Sequence, residues 1–233
     1  MENTAENSSY NLSIRINLDG FSLLVSEQSG QQLSSKKVSL SMLNLSKNEI
    51  ASTLSTETEL NYQDIRIIYE SDVYIFIPTP LFRPEESARF LSLQQKLQKK
   101  ECIIHNTIPN WNTVNAFSIP ENLQQAIEEL FPGLIIEHQM SYLLSEKVKQ
   151  IPANSIHIWV RTNIFDVIAV QSSKLQLLNS FSYKTPEDFT YHTLNIMEQL
   201  AFDTKSTIVY LYNTDKKPEL ATILDNYVIV DKQ

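Results

Sequence analysis

The sequence predicts an α/β protein with mixed sheets, in which one pattern is used twice. Three observations carry that expectation. Ser155 to Asn213 reads strand, tight turn, strand, turn, strand, capped helix, strand. Tyr10 to about Tyr69 reads in the same order. In both stretches the apolar spacing changes from period two to a helical stripe and back, as a helix packed on a sheet requires.

In the first half, Asn11 to Asn17 alternates, with Leu12, Ile14 and Ile16 on one face. Leu18-Asp19-Gly20 turns the chain, Asp-Gly being a hairpin signal, and Phe21, Leu23 and Val25 continue on the next strand. Gln28-Ser-Gly30 turns again, and Val38, Leu40 and Met42 mark a third strand. Ser46-Lys-Asn-Glu49 is a capping box that opens a helix through about Ser55. Ile65 to Tyr69 is the returning strand, and Val73 to Ile77 is another.

The middle of the chain carries further elements. Pro84-Glu-Glu opens a helix with Phe90, Leu93 and Leu97 on its stripe. Glu101 to Thr107 and Thr113 to Phe117 pair as strands about the turn Pro109-Asn-Trp-Asn112. Ser118-Ile-Pro-Glu121 reads as a second capping box, ahead of a helix bearing Leu123, Ala126, Ile127, Leu130 and Phe131. Pro132-Gly133 stops that helix; Leu134 to Ile136 is a short strand, and Met140 to Val148 a further helix. The boundary is expected near Gln150-Ile-Pro-Ala153, giving a first subdomain over 10–150 with inserted strand and helix elements and a second over 151–233.

The second half repeats the order. Ser155 to Val160 alternates, Ile156, Ile158 and Val160 opposing His157 and Trp159. Arg161-Thr-Asn163 is a polar break, Ile164 to Val170 a second run, and Leu175, Leu177 and Phe181 a third, which together predict a meander. Thr185-Pro-Glu-Asp188 is a helix start: the Thr hydroxyl accepts from an orphan amide, Pro suits the first position, and the acids meet the positive helix end. Phe189, Thr193, Ile196 and Leu200 then form the buried stripe, and Thr207 to Tyr212 returns as a strand buried on both sides.

Composition narrows the functions. Net charge is −8, and no basic cluster is larger than Lys99-Lys100 or Lys216-Lys217, so a direct nucleic-acid partner is not expected. A single cysteine, Cys102, permits no internal disulfide and points to a reducing compartment. Met1 to Ser9 lacks an apolar signal region, and no apolar run nears the roughly 18 residues that span a bilayer. The expectation is a cytoplasmic protein that does not engage membranes.

Two copies of a meander followed by helix and strand resemble the actin-like ATPase (ribonuclease H-like) fold, including its pilus-assembly and type II secretion relatives. Asn115 to Glu137 resembles their strand, helix and strand ahead of the second half. Ile75-Phe-Ile-Pro-Thr-Pro-Leu-Phe82 and Phe181-Ser-Tyr-Lys-Thr-Pro-Glu-Asp-Phe189 are similar to a small Bacteroidetes family with this fold and no assigned activity. The resemblance implies two subdomains around a nucleotide cleft. Functional members hold ATP with two glycine-dependent turns, one per half, and a Gly-Gly pair beside adenine. Such turns need glycine because a Cβ blocks close approach to phosphate.

This chain has three glycines in 233 residues and departs from each feature. The first turn is Asn17-Leu-Asp-Gly20, with Asn17 where the family's magnesium-side Asp would sit. The second is Arg161-Thr-Asn163, without glycine, and the adenine position reads Tyr212-Asn213-Thr214. The resemblance therefore implies a degenerate nucleotide site, its vestige being Asn17, Asp19, Gly20, Arg161, Thr162, Asn163 and Asn213. No ATP or other cofactor, catalytic residue or metal ligand is expected.

Other chemistry is sparse. Cys102 and His105 fall on opposite faces of one strand, so Cys102 reads as a buried small hydrophobe. His138, His157 and His192 are scattered, and the Glu85-Glu86 and Glu128-Glu129 pairs diverge around their helices as solvated faces. No nucleophile elbow, phosphate loop or dinucleotide fingerprint occurs. Trp159 is expected to pack under the sheet's covering helices, and Trp111 to sit in a turn where it could mark a contact surface.

The leading functional expectation is a non-enzymatic interaction or scaffolding protein with a protein partner or a second copy of itself. The alternative from another class is an unorthodox ATPase, kinase or hydrolase using the inter-domain cleft. The family resemblance adds a third reading, a helper of RNA modification acting through a protein.

Overall fold

Alternation decides the sheets. The structure, a computed structural model, describes residues 10–17, 19–29, 31–39, 46–55, 62–93, 100–148, 154–215 and 217–233. Two compact units divide at Tyr142 and Leu143. The division precedes the expected linker, because Leu143 and Val148 line a pocket with His157, Trp159 and Tyr212 and so go with the second unit; of the linker itself, 150–153 lie outside the described residues.

In the first unit, β1 (Tyr10–Asn17), β2 (Gly20–Glu27) and β3 (Gln32–Ser39) form the meander. Leu12, Ile14 and Ile16 are buried on one face, as the alternation requires. β3 starts earlier than expected and is almost wholly exposed; Leu40 and Met42 lie outside the described residues. The capping box is present: Ser46 N–H donates to the Glu49 carboxylate (2.8 Å) and Glu49 N–H to Ser46 Oγ (3.3 Å), opening α1 (Lys47–Ser55). β4 (Tyr62–Tyr69) returns parallel to β1, and the sheet order is β3-β2-β1-β4-β8, with β8 at Ile136–His138.

Between β4 and β8 the chain builds a three-stranded sheet of β5 (Tyr74–Pro78), β7 (Thr113–Pro120) and β6 (Glu101–Ile108), with the short helix α2 (Ser87–Ser92). Two expectations fail here. Ser118 is not a cap, because β7 keeps pairing with β6 as far as Pro120, and α3 (Glu121–Leu130) starts without a side-chain cap. Leu93 is 78% exposed while Leu91 is fully buried. A single 3-10 turn over Pro84–Glu86 precedes α2 and shifts the stripe; Leu97 lies outside the described residues. The α3 stripe holds at Leu123, Ala126 and Ile127, which are buried, while Leu130 and Phe131 at the helix end are half-buried. β8 falls later than the expected strand, leaving Ile135 exposed. Gln139–Tyr142 (α4) is helical, and a π-turn over Leu143–Lys147 continues it.

The second unit repeats the first sheet strand for strand. β9 (Asn154–Val160), β10 (Ile164–Gln171) and β11 (Lys174–Ser182) are the meander, β12 (Ile208–Tyr212) returns parallel to β9, and β13 (Ile229–Lys232) follows, in the order β11-β10-β9-β12-β13. Thr185 caps α5 (Pro186–Gln199) in a capping box with Asp188, as expected. Ile156, Ile158, Val160, Phe165, Phe189, Ile196, Met197, Val209 and Leu211 join residues of α6 (Pro218–Leu224) in one core. Leu200 is half-buried, since it caps α5 rather than standing within it. β12 is fully buried only at Val209 and Leu211; Tyr210 and Tyr212, on its other face, stay half-buried.

Candidate functional site

The residues expected to mark the degenerate site sit at the same end of each sheet, where the first and fourth strands finish. That is the end at which α/β sheets ordinarily meet ligands. In the first unit Asn17 ends β1 and pairs with Gly20 across the turn. Asn17 Oδ1 accepts from the Asp19 amide at 2.9 Å, so a side chain already takes one backbone donor of this turn. Gly20 has φ 138°, a backbone that glycine adopts without strain. Leu18 lies outside the described residues. Behind the turn, Arg15 donates to Glu70 and to Gln139, both at 3.2 Å.

In the second unit the Arg161–Asn163 turn joins β9 to β10 and is held from two other loops. Tyr183, just past β11, donates its hydroxyl to the Arg161 carbonyl (3.0 Å) and its amide to the Asn163 carbonyl (3.0 Å). Lys217, just before α6, donates through Nζ to the Thr162 carbonyl and to the Tyr183 hydroxyl (2.9 Å), and lies 4.7 Å from the centre of the Tyr183 ring. Asn213 Nδ2 donates to the Val160 carbonyl at 2.8 Å. Asn213 has φ 62°, the left-handed conformation that a short amide side chain tolerates. Arg161 pairs with Asp166 (2.8 Å), a buried carboxylate that also accepts from Ser180 (2.6 Å). The cation that stood out in the sequence is thus committed to a partner on β10. Thr162 and Asn163 are exposed.

The sequence reading missed Tyr183, Lys217, Asp166 and Ser180. Lys217 stood there only as half of a charge doublet, and Tyr183 only within a motif that carried the resemblance.

The histidines have defined surroundings. His138 is buried; its Nε2 donates to the Ser71 carbonyl (3.1 Å), and its Nδ1 accepts from the Met140 amide (3.1 Å), which makes it a structural cross-link. His157 contacts Tyr212 Oη through Nδ1 (3.0 Å) and Ser155 Oγ through Nε2 (3.2 Å). It stacks on Tyr210 and Tyr212, and Trp159 stacks on Tyr212 at 4.4 Å. Trp159 therefore belongs to an aromatic row on the face opposite α5 and α6, half-buried. Burial pushes the His157 imidazole down to about 4, so it is neutral near pH 7. The pocket beside it, lined by Leu143, Lys147, Trp159, Asp166 and Tyr212 among others, has room for at most one water. His105 contacts Ser87 Oγ at 2.9 Å, and burial lowers its pKa, but Ser87 is fully enclosed and no reactant reaches it. Cys102 is half-buried rather than buried, and burial raises its thiol pKa, with Glu121 adding to the effect. Trp111 is half-buried on a 3-10 turn, and His192 lies 5.5 Å from the Phe181 ring at the edge of the α5 stripe.

Among the described residues, no helix is long and apolar enough to cross a membrane.

No curated protein matches this chain. Among solved structures it is similar to a Bacteroides thetaiotaomicron protein with actin-like ATPase fold and unknown function. That likeness has a TM-score of 0.79 and 24% identity, and covers 100% of this chain and 94% of the other. It is also similar to the PilM–PilN type IV pilus biogenesis complex, with a TM-score of 0.53, 11% identity, and coverage of 97% and 88%. At these identities the likeness is one of fold, and the fold is the actin-like one that the repeated strand order implies. The family described as "Protein of unknown function (DUF3822)" matches residues 2–229, and the chain belongs to that family.

Proposed function

We propose that this protein is a non-enzymatic interaction or scaffolding protein on an actin-like frame whose phosphate-binding turns have been lost. One observation carries the reading: the three carbonyl oxygens of the Arg161–Asn163 turn are all taken by Tyr183 and Lys217. A phosphate cradle works by directing free backbone amides at the anion. In this turn the Arg161 amide already donates to the Ile164 carbonyl, and the three carbonyls tie the backbone to Tyr183 and Lys217. The first turn supports the same reading, because Asn17 occupies the Asp19 amide and the Asp19 carboxylate adds negative charge. Arg161 offers little compensation while paired with Asp166. Loss of ligand chemistry with retention of both sheets favours a role in presenting surfaces. The pilus-biogenesis fold neighbour, found in a complex with PilN, is compatible with such a role.

Calorimetry with Mg-ATP at millimolar concentration tests the proposal. The expected result is no resolvable heat and no hydrolysis above a blank. A micromolar dissociation constant that Arg161→Ala abolishes would restore an enzymatic reading.

A further inference from the structure

We propose that Lys217 and Tyr183 form a strap that the second unit lays across its own loop end, holding the Arg161–Asn163 turn in one closed conformation. The strap goes beyond the loss of a nucleotide site, since it concerns what keeps the turn in place whatever it binds.

Three loops meet at this end of the sheet. They are the β9–β10 turn, the β11–α5 loop with Tyr183, and the β12–α6 loop with Asn213 and Lys217. Each link between them crosses a large sequence separation, so none is a by-product of local turn geometry. The donors run in series. Lys217 Nζ donates to the Tyr183 hydroxyl (2.9 Å), which donates to the Arg161 carbonyl (3.0 Å) and lies 3.4 Å from the Thr162 carbonyl. Lys217 also reaches the Thr162 carbonyl directly. An ammonium has three donors and no acceptor, and suits a cluster of carbonyl and phenol oxygens that would otherwise need a cation or water. The Tyr183 ring supplies a cation–π face at 4.7 Å. Tyr183 itself is 5% exposed and packs against Phe165 and Phe189, so the strap is anchored in the core. Exposed Thr162 and Asn163 are thereby displayed on a fixed backbone, and a partner that meets them has less conformational entropy to remove.

Amide hydrogen exchange on the full chain tests the strap, with wild type, Lys217→Met, Lys217→Arg and Tyr183→Phe compared. The reporters are the Arg161 amide, which donates to the Ile164 carbonyl (2.9 Å), and the Tyr183 amide, which donates to the Asn163 carbonyl (3.0 Å). Lys217→Met and Tyr183→Phe should each speed exchange at both by about tenfold, the effect of losing one charge-assisted bond. Lys217→Arg should keep protection within about threefold, because the cation remains. Ile158 and Val167, paired across the interior strands β9 and β10, should not change and report that the sheet is intact. Unchanged exchange at Arg161 and Tyr183 in Lys217→Met would overturn the proposal, and so would equal acceleration by Lys217→Arg and Lys217→Met.

Discussion

The two five-stranded sheets share one strand order and differ at their edges and turns. In the first unit the last strand, β8, is only three residues long. The buried Asn106 of β6 completes it: its Nδ2 donates to the Ile136 carbonyl (2.9 Å) and its Oδ1 accepts from the His138 amide (2.7 Å). One side chain imitates a strand and splices the inserted three-stranded sheet to the edge. In the second unit the chain passes from β12 to α6 without such an insertion, and β13 pairs directly with β12. The turns diverge likewise: among the described residues the first shows a side-chain bond within the turn, and the second several from distant loops. Alternating burial constrains a strand because a one-residue slip inverts every side chain. Loops carry no such constraint, and there the two halves part.

The largest expected effect lies in the second core. Phe189 is fully buried, 4.8 Å from the Phe165 ring and 5.7 Å from that of Tyr183. Phe189→Ala should cost about 3–5 kcal/mol, whereas Leu200→Ala, at a half-buried cap, should cost about 1–2 kcal/mol. The two tryptophans make the comparison specific, since Trp111 lies in the first unit and Trp159 in the second. In a Trp111→Phe background, urea unfolding followed by fluorescence reads the second unit alone. In a Trp159→Phe background, an equal shift of the Trp111 signal would show that the units unfold as one.

Acid should also distinguish the halves. Burial lowers the folded pKa of His157 to about 4, from the ordinary histidine value of about 6.5. A histidine held neutral contributes stability that is full above about 6.5 and is lost as pH falls from there towards about 4, where the folded form protonates too. Between pH 7 and pH 4 the second unit should lose about 3 kcal/mol on this account. Tyr210 and Tyr212 on β12, Asp166 on β10 and Lys147 of the π-turn lie around the ring. His157→Gln should flatten the dependence; an unchanged slope would place the acid sensitivity elsewhere.

The Asn106 splice comes next. Asn106→Leu leaves the His138 amide and the Ile136 carbonyl without their partner in a buried place, which should cost about 2–3 kcal/mol. The loss should appear in the Trp111 signal and leave Trp159 unmoved. If it appears in neither, the edge is satisfied by water.

Most of the fold was legible because it is written in period two and in caps. Leu12, Ile14 and Ile16, and Ile156, Ile158 and Val160, point inward as their spacing requires. What could not be read depends on partners remote in sequence. Nothing near Asn106 says that its amide will face β8, 30 to 32 residues on. Nothing around Lys217 names the Thr162 carbonyl, which is 55 positions earlier. The polar, glycine-poor character of the turns was visible; the source of the groups that occupy their backbone was not. Ser118 failed for a different reason: a capping-box pattern is local, and strand pairing with β6 overrode it.

That override yields the smallest and cleanest contrast. Thr185 and Ser118 both precede a Pro and an acidic residue at the start of a helix, and only one of them caps. Thr185 Oγ1 accepts from the Asp188 amide at 3.2 Å, and the Asp188 carboxylate accepts from the Thr185 amide at 3.3 Å. At α3 the residue in the cap position is Pro120, whose side chain has no acceptor, and Ser118 pairs with Ile103 inside the ladder. Thr185→Ala should therefore cost about 1 kcal/mol, the usual loss for a threonine cap. Ser118→Ala removes a hydroxyl from a buried strand position without uncapping anything, and should change stability by less than about 0.5 kcal/mol. Urea midpoints at constant slope, read through Trp159 for the first variant and Trp111 for the second, measure both. Equal losses would mean that Ser118 caps α3 in solution, and that β7 ends before it.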